Sequence, residues 1–164
     1  MTQRVLGIDP GLQITGYGVI GTASGTPRVV EAGVIRTTGA AANLVGRIRT
    51  IYDSLVEVID QFHPEVLAVE QLYAHYNHPR TAILMAHARG IAFLAAAQRD
   101  LDVVSYNATR IKKTITGSGR ASKEQVQRTI QRELGLVDLP EPPDVADALA
   151  VALCHYYVGR LAAK

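Results

Sequence analysis

The sequence predicts an α/β fold in which α-helices pack against a mixed β-sheet. The first forty residues are rich in β-branched side chains and contain turn signals at 10–11 and 25–27. Beyond Asn43 the apolar residues instead recur at three- and four-residue spacings, which is typical of an amphipathic helix. Short apolar runs and longer helical segments then alternate to the end of the chain, as expected for a sheet covered by helices.

Three strands come first, and the turns between them predict an antiparallel meander. They are expected over residues 5–9, 14–23 and 27–38. The first helix begins after Asn43, which is available as its N-cap, and ends at His63–Pro64. Residues 65–71 form a short and mostly apolar run, typical of a strand covered on both faces.

The second half of the chain alternates in the same way. An Ala-rich helix is predicted over 79–98 and a strand over 101–107. Three further helices are expected over about 108–115, 123–134 and 143–160. The helix at 123–134 has well-marked ends, because Ser122 and Gln125 form a capping-box pattern and Gly135 follows its last residue. No linker or repeat interrupts the 164 residues, so residues 1–164 are expected to form a single domain.

Composition excludes several classes of protein. Hydrophobic residues make up 48% of the chain and charged residues 20%, values that exclude a disordered or collagen-like chain. No apolar run reaches the roughly 18 residues of a membrane span, and no signal-like segment is apparent, so a cytoplasmic protein with no membrane partner is expected. The single cysteine, Cys154, lies in an apolar run and is expected to be a buried thiol rather than a nucleophile.

Basic residues concentrate in one segment of the chain. Residues 110–132 contain seven lysines and arginines and one glutamate, a net charge of +6, so the rest of the chain carries −4. A segment of this kind is typical of a polyanion-binding edge, but a solvated helix face explains it equally well.

Two carboxylates end apolar strands. Asp9 follows the first strand and precedes the Pro10–Gly11 turn, and Glu70 ends the strand at 65–71. Ligand sites in α/β sheets lie outside the carboxyl ends of strands, so these two side chains could converge. The alternatives are that Asp9 caps its turn and that Glu70 is a surface residue at the end of a strand.

Two more carboxylates stand at the start of the last helix. Asp144 and Asp147 follow Pro142–Pro143, and their spacing of three places them on one helix face. Stabilisation of the helix N-terminus is an alternative role, stronger for Asp144 than for Asp147.

Together the four acids suggest one metal site. Two like charges 4 Å apart cost about 4 kcal/mol at an effective dielectric of 20, so such a cluster needs a cation. Oxygen donors without a Cys or His pair at zinc spacing favour Mg²⁺ or Mn²⁺. Two such ions per site would suit phosphodiester hydrolysis.

Four segments, in their order and spacing, resemble the RuvC family of bacterial Holliday junction resolvases. The resemblance runs from about residue 4 to residue 157 and is carried by GIDPGLQITGYGVI, AVEQLY, TRIKKTITGSGRASKEQVQ and DVADALAVALCH. It implies a ribonuclease H-like mixed β-sheet flanked by α-helices, a homodimer, and Mg²⁺-dependent paired nicking of four-way junction DNA. A branch-migration helicase complex of the RuvA and RuvB type is the partner it implies.

The resemblance also assigns roles to residues. It places the catalytic, metal-binding acids at Asp9, Glu70, Asp144 and Asp147. It places an aromatic residue that stacks on a base at Tyr73, and DNA-facing cations at Lys112 and Lys123. A tyrosine packed under its own loop is the alternative for Tyr73. The histidines lack ligand-like partners and are expected to be structural.

Two other functions remain open at this point. The segment GIDPG also resembles the phosphate turn of sugar kinases and actin-like ATPases, but those folds need a second lobe that 164 residues do not supply. A non-catalytic junction-binding or architectural protein is the second alternative. Metal-dependent cleavage of a four-way junction separates both from a resolvase.

Two symmetric nicks require two identical sites, so a two-fold dimer is expected, built partly from the helix at 79–98. Its predicted interface stripe is Ala82, Met85, Ala86, Arg89, Gly90, Phe93 and Ala97. The opposite stripe, predicted to meet the sheet, includes Ile83, Leu84, Ala88, Ile91 and Leu94. Burial of both stripes within one monomer is the alternative.

Overall fold

The structure, a computed structural model, describes residues 3–23, 25–37, 43–72 and 78–162. In chain order its elements are β1 (Arg4–Asp9), β2 (Ile14–Ala23), β3 (Thr26–Arg36), α1 (Leu44–Phe62), β4 (Val66–Glu70), α2 (Pro79–Ala97), β5 (Asp102–Tyr106), α3 (Ala108–Thr116), α4 (Lys123–Leu134) and α5 (Pro143–Ala162). The predicted α/β class is confirmed, and the element ends differ from the predicted ones by at most two residues.

The five strands form one mixed sheet in the order β3-β2-β1-β4-β5. Strands β1, β2 and β3 pair antiparallel, which confirms the meander, whereas β1, β4 and β5 run parallel. Ile8 pairs with Val69, so the next residue on each strand, Asp9 and Glu70, lies at the same edge of the sheet. The topology alone therefore brings the first two candidate acids side by side.

Helices cover both faces of the sheet. One face packs against α3, α4 and α5, and the other packs against α1 and α2. Strand β4 is central and its residues Val66–Val69 are all buried, as predicted for a strand covered on both faces. Cys154 is buried in the first of these layers, as expected.

Glycines let α5 lie directly on the backbone of β1 and β2. A Cβ added at Gly7 would stand 2.0 Å from the carbonyl oxygen of Ala148, and one at Gly16 would stand 2.1 Å from that of Asp144. At Gly18 the obstacle is the Leu149 side chain, 2.5 Å away. Any side chain at these positions would hold the helix away from the sheet, so the close approach depends on glycine.

The predicted helix ends are observed. Asn43 caps α1 by accepting a hydrogen bond from the Gly46 amide, and His63 ends it in the left-handed conformation. Ser122 and Gln125 form the predicted capping box at the start of α4. The capping box determines where α4 begins and therefore positions Lys123, the first residue of this helix.

The predicted orientation of α2 is wrong in part. Ala88 is buried and Ile91 packs on the core, as expected, but Ile83, Leu84 and Leu94 are 59%, 42% and 48% exposed. Phe93, predicted to lie in the interface stripe, packs partly against the core. Small alanines rather than the branched residues meet the sheet, because they allow the helix to approach it closely. The exposed stripe therefore runs through Ile83, His87, Gly90, Leu94 and Ala97.

Within the described ranges, none of the helices has the length and apolarity needed to cross a membrane.

Replacing Gly7 by alanine should destabilise the fold. The new Cβ meets the α5 backbone and lies 2.9 Å from the Ala152 Cβ, so the free energy of unfolding should fall by about 1–3 kcal/mol or more. Gly159→Ala is the matched control, because that helical glycine has no atom within 4 Å of the added Cβ and should gain up to about 1 kcal/mol. Urea denaturation measures both, and equal effects would contradict the close-packing account.

Candidate active site

Asp9 is not needed to close the turn that follows it. The buried Thr15 hydroxyl donates a 2.7 Å hydrogen bond to the Gly11 carbonyl and accepts one of 3.4 Å from the Gly11 amide. Among the described residues the Asp9 carboxylate receives no hydrogen bond from this turn. The turn-capping role considered for Asp9 is therefore filled by Thr15, which leaves the carboxylate free for another role.

Glu70 stands next to Asp9 at the carboxyl edge of the sheet. It pairs in register with Tyr106 of β5, and the Gln71 amide continues this ladder with a 2.9 Å hydrogen bond to the Tyr106 carbonyl. The Glu70 side chain stands at the rim of the edge and is only partly withdrawn from solvent, whereas the four preceding residues of β4 are buried. The strand is therefore buried along its length and ends in a carboxylate at the surface of the protein.

Helix α5 brings the other two acids to the same place. The Asp144 backbone and Cβ lie against Gly16, and Gly16 is the residue of β2 that pairs with Asp9. Asp147 follows three residues later on the same helix face. The structure therefore brings all four predicted acids to one edge of the sheet, from β1, β4 and the first two turns of α5.

The electrostatics show that these acids influence one another. Burial raises the pKa of Asp9 to about 7, and three neighbouring carboxylates act in the same direction. In decreasing order of effect they belong to Asp147, Asp144 and Glu70, and Lys123 partly opposes them. A carboxyl pKa raised so far means that the ionised site lacks positive charge.

Two lysines face the acids across a small cavity. Burial is the main cause that raises the pKa of both Glu70 and Asp147, while Lys112 and Lys123 lower it. Neither lysine forms an ion pair with a carboxylate among the described residues, so both ammonium groups stay available. The cavity measures about 270 Å³ and is lined by Glu70, Ala108, Ile111, Lys112, Lys123, Val126, Asp147 and Ala150.

The donor set fits a hard divalent cation. All four side chains offer carboxylate oxygens, the ligands that Mg²⁺ and Mn²⁺ prefer, and the raised pKa of Asp9 shows that positive charge would be stabilised there. In the described part of the chain, however, no three acidic, histidine or thiol groups are close enough together to enclose an ion. The site therefore fits a metal by its chemistry and is not a preassembled cage.

The remaining predicted residues fall into three groups. Tyr73 lies outside the described residues. Arg128 and Arg132 form ion pairs with Glu124 and Glu133 at 2.9 and 3.1 Å, so part of the basic segment is a solvated, internally paired surface. The histidines considered structural include His155, whose Nδ1 lies 2.8 Å from the Tyr106 hydroxyl.

Two features of the site region are not evident from the sequence. The first is the inward direction of the Arg89 side chain, which points towards β5 and contacts Ser105. No pattern in the sequence indicates this direction. The second is the direct contact of α5 with the sheet, for which the alternate glycines Gly16 and Gly18 on one strand are a usable signal.

Carboxylates at adjacent strand ends of this mixed sheet, completed by a helix and faced by lysines, define a nuclease of the ribonuclease H-like class. Comparison with known proteins identifies the family. The sequence model of the family "Crossover junction endodeoxyribonuclease RuvC" matches residues 5–155. The chain belongs to the RuvC family, whose members are divalent-metal-dependent nucleases.

Individual relatives agree with this assignment. A crossover junction endodeoxyribonuclease RuvC from Rhodopirellula baltica is 47% identical over 156 residues, covering 95% of this chain and 87% of the relative. The Thermus thermophilus RuvC structure aligns with a TM-score of 0.87 at 32% identity, covering 98% of this chain and 97% of that one. The T. thermophilus RuvC in complex with Holliday junction substrate aligns with a TM-score of 0.90 at 32% identity, covering 98% and 96%.

The raised pKa of Asp9 predicts a pH-dependent stability in the absence of metal. The protonated carboxyl is the form that the fold favours, so its contribution is complete below about pH 4 and is lost as the pH rises to about 7. Asp9→Asn should therefore raise the free energy of unfolding by about 2–4 kcal/mol at pH 8 and change it little at pH 4.

Urea denaturation in a chelator measures this difference. Asp53→Asn is the control, since Asp53 is an exposed residue of α1 in a surface pair with Arg49, and its effect should stay within about 1 kcal/mol at both pH values. A stabilisation by Asp9→Asn that is the same at pH 4 and pH 8 would contradict the electrostatic account.

Proposed function

We propose that this chain resolves four-way DNA junctions by paired, symmetric, metal-dependent hydrolysis of phosphodiester bonds, in recombination and DNA repair. The observation that carries the proposal is the convergence of four carboxylates on one sheet edge, with the pKa of Asp9 raised to about 7. Relatives named crossover junction endodeoxyribonuclease support the reaction, and a solved RuvC in complex with Holliday junction substrate supports the substrate. Residues 1–164 act as a single nuclease domain, and its cytoplasmic location stays a prediction.

The four acids are the proposed catalytic and metal-binding residues. Asp9, Glu70, Asp144 and Asp147 would hold the divalent cation, and Mg²⁺ is the proposed ion, two per site, with Mn²⁺ as the alternative. When bound, the metal supplies an activated water and stabilises the leaving oxygen. The chain itself positions the acids, because β1 pairs with β4 and α5 packs directly on the backbone of β1 and β2.

Lys112 and Lys123 are the proposed DNA-binding cations of the site. Both line the cavity that Glu70 and Asp147 also line, so a phosphate that enters this cavity would meet their ammonium groups. The positive charges of the two lysines would offset the electrostatic repulsion between the carboxylates and the phosphates of the DNA backbone. Tyr73, two residues beyond Gln71, is proposed to stack on a base at the junction centre by resemblance alone.

Removing a metal-binding charge should abolish cleavage and preserve binding. Asp9→Asn, Glu70→Gln and Asp147→Asn each remove a ligand oxygen's charge but also reduce repulsion with phosphates. We expect junction cleavage in Mg²⁺ to fall by a factor on the order of 10³, while affinity in a chelator holds or rises. Gel assays of cleavage and binding on a synthetic four-way junction measure the two effects, with Asp53→Asn as the control.

The same assays separate the alternatives. A variant that nicks at nearly the wild-type rate shows that its residue is not a metal ligand. A wild-type protein that binds junctions without cutting them is an architectural protein. A protein that hydrolyses ATP and leaves the junction intact belongs with the actin-like ATPases.

The proposed working form is a two-fold dimer that uses the exposed stripe of α2. Ile83, Gly90 and Leu94 lie on this stripe at spacings of seven and four residues, and two of them are large apolar side chains in contact with solvent. Apolar side chains grouped in this way are typical of an interface. The glycine would allow a second helix to approach closely. A complex with branch-migration proteins of the RuvA and RuvB type remains part of the proposal, supported by the family assignment alone.

Charges on this stripe should dissociate the dimer. The double variant Ile83→Asp, Leu94→Asp should change the mass measured by light scattering from about twice 17.7 kDa to 17.7 kDa at micromolar concentration. Val45→Asp is the control, because Val45 is an exposed apolar residue of α1 outside the stripe. Wild-type protein of 17.7 kDa overturns the dimer, and a double variant that stays dimeric overturns this interface.

A further inference from the structure

Arg89 has an unusual environment between α2 and the sheet edge. Its Nη2 donates a 3.2 Å hydrogen bond to the Ser105 hydroxyl of β5, and its guanidinium lies over the Phe93 ring at 4.4 Å. Its Nε is buried and has no hydrogen-bond partner. These contacts hold the side chain in one orientation, but they leave the Nε–H without a hydrogen-bond acceptor. Its Nη1 is not buried in this way and makes no hydrogen bond among the described residues.

Within the described ranges, no carboxylate is paired with this guanidinium. The residues outside the described ranges include no aspartate or glutamate in the sequence. A partly buried positive charge without a counter-ion is costly, so an anion from another molecule is the natural partner.

Arg89 lies close to the proposed cleavage site. Ser105 pairs with Val69, one residue before Glu70, so the Ser105 and Glu70 backbones are about 6 Å apart, given a rise of about 3.3 Å and a strand spacing of about 4.8 Å. A largely apolar cavity lies between Glu70 and the neighbouring part of α2. It is lined by Glu70, Gln71, Leu72, His78, Thr81, Ala82, Met85 and Ala108, and Met85 lies one helical turn before Arg89.

We propose that Arg89 binds a backbone phosphate of the junction strand that passes Glu70, within about three nucleotides of the cut. This rests on the proposed function. Stacking on Phe93 and the bond to Ser105 orient the guanidinium plane, and the open Nη1 end presents N–H donors suited to a phosphate. The apolar cavity between Met85 and Glu70 would accommodate the sugar or base in between.

A second copy of the chain is the less favoured source of the anion. The proposed dimer stripe contains Ile83, Gly90 and Leu94, whereas Arg89 is directed to the flank of α2 that meets β5. That flank continues towards the cavity beside Glu70. The guanidinium therefore lies on the side of α2 that meets β5 and not on the exposed stripe, which favours DNA as the proposed source of the anion.

The first experiment separates stability from binding. Arg89→Met fills similar space without a buried unpaired N–H, so the unfolding temperature should stay unchanged or rise. Junction affinity in a chelator should fall about tenfold, and the slope of log affinity against log salt should flatten by about 0.9. Lys123→Ala, a proposed phosphate contact, should flatten the slope similarly. Arg49→Met, which changes charge equally at an exposed position of α1, should leave it unchanged.

The second experiment identifies the phosphate. Single neutral methylphosphonates replace the phosphates at three positions on each side of the cut. At one position the wild-type protein should lose about tenfold in affinity, and Arg89→Met should lose nothing further. If Arg89→Met does not fold, Arg89→Lys and Ser105→Ala are used, and both should weaken binding at that same position.

Each other outcome overturns the proposal. Unchanged affinity and slope in Arg89→Met show a purely structural arginine. A variant that becomes monomeric by light scattering shows that the anion belongs to the second copy. A wild-type protein that neither binds nor cuts junctions overturns the proposed function itself, which distinguishes that failure from failure of the Arg89 assignment.

Discussion

The contact of α5 with bare strand backbone is the constraint on which the rest of the structure depends. Gly7, Gly16 and Gly18 remove the side chains that would separate the helix from the sheet. The helix can then place Asp144 against the residue of β2 that pairs with Asp9. Parallel pairing of β1 with β4 adds Glu70 at the same edge. The ends of β1 and β4 and the start of α5 are far apart in the sequence. They meet at one small site because the backbone of α5 contacts the backbone of the strands.

The same packing makes the site electrostatically unfavourable. Carboxylates that are partly removed from water and face one another hold protons more tightly, as the pKa of about 7 for Asp9 shows. The lysines at 112 and 123 offset part of this charge without pairing with it. The fold therefore maintains a concentration of negative charge that the two lysines neutralise in part and that a bound cation would neutralise further. Apolar burial elsewhere in the two core layers compensates for this cost.

Much of this arrangement is predictable from the sequence, because periodicity and strand ends carry the information. Asp9 and Glu70 end apolar strands, and parallel strands place their carboxyl ends together. The faces of α2 are not predictable, because apolar residues surround that helix and small alanines, rather than Ile83 or Leu94, fit against the sheet. The surroundings of Arg89 depend on tertiary packing alone. Tyr73 lies outside the described residues, and its role stays a prediction.

The seating of α5 on glycines also limits how such a sequence can change over evolutionary time. Each residue of a helix is rotated by about 100° from its neighbour, so one residue inserted at 143–148 would turn either the acids away from the sheet edge or the small residues away from the glycines. Deletions there have the same effect. Length variation should therefore be tolerated better outside this stretch, for example at residues 136–141 before Pro142, which lie outside the helices and strands. In this stretch of the chain, spacing should limit sequence change as strictly as residue identity does.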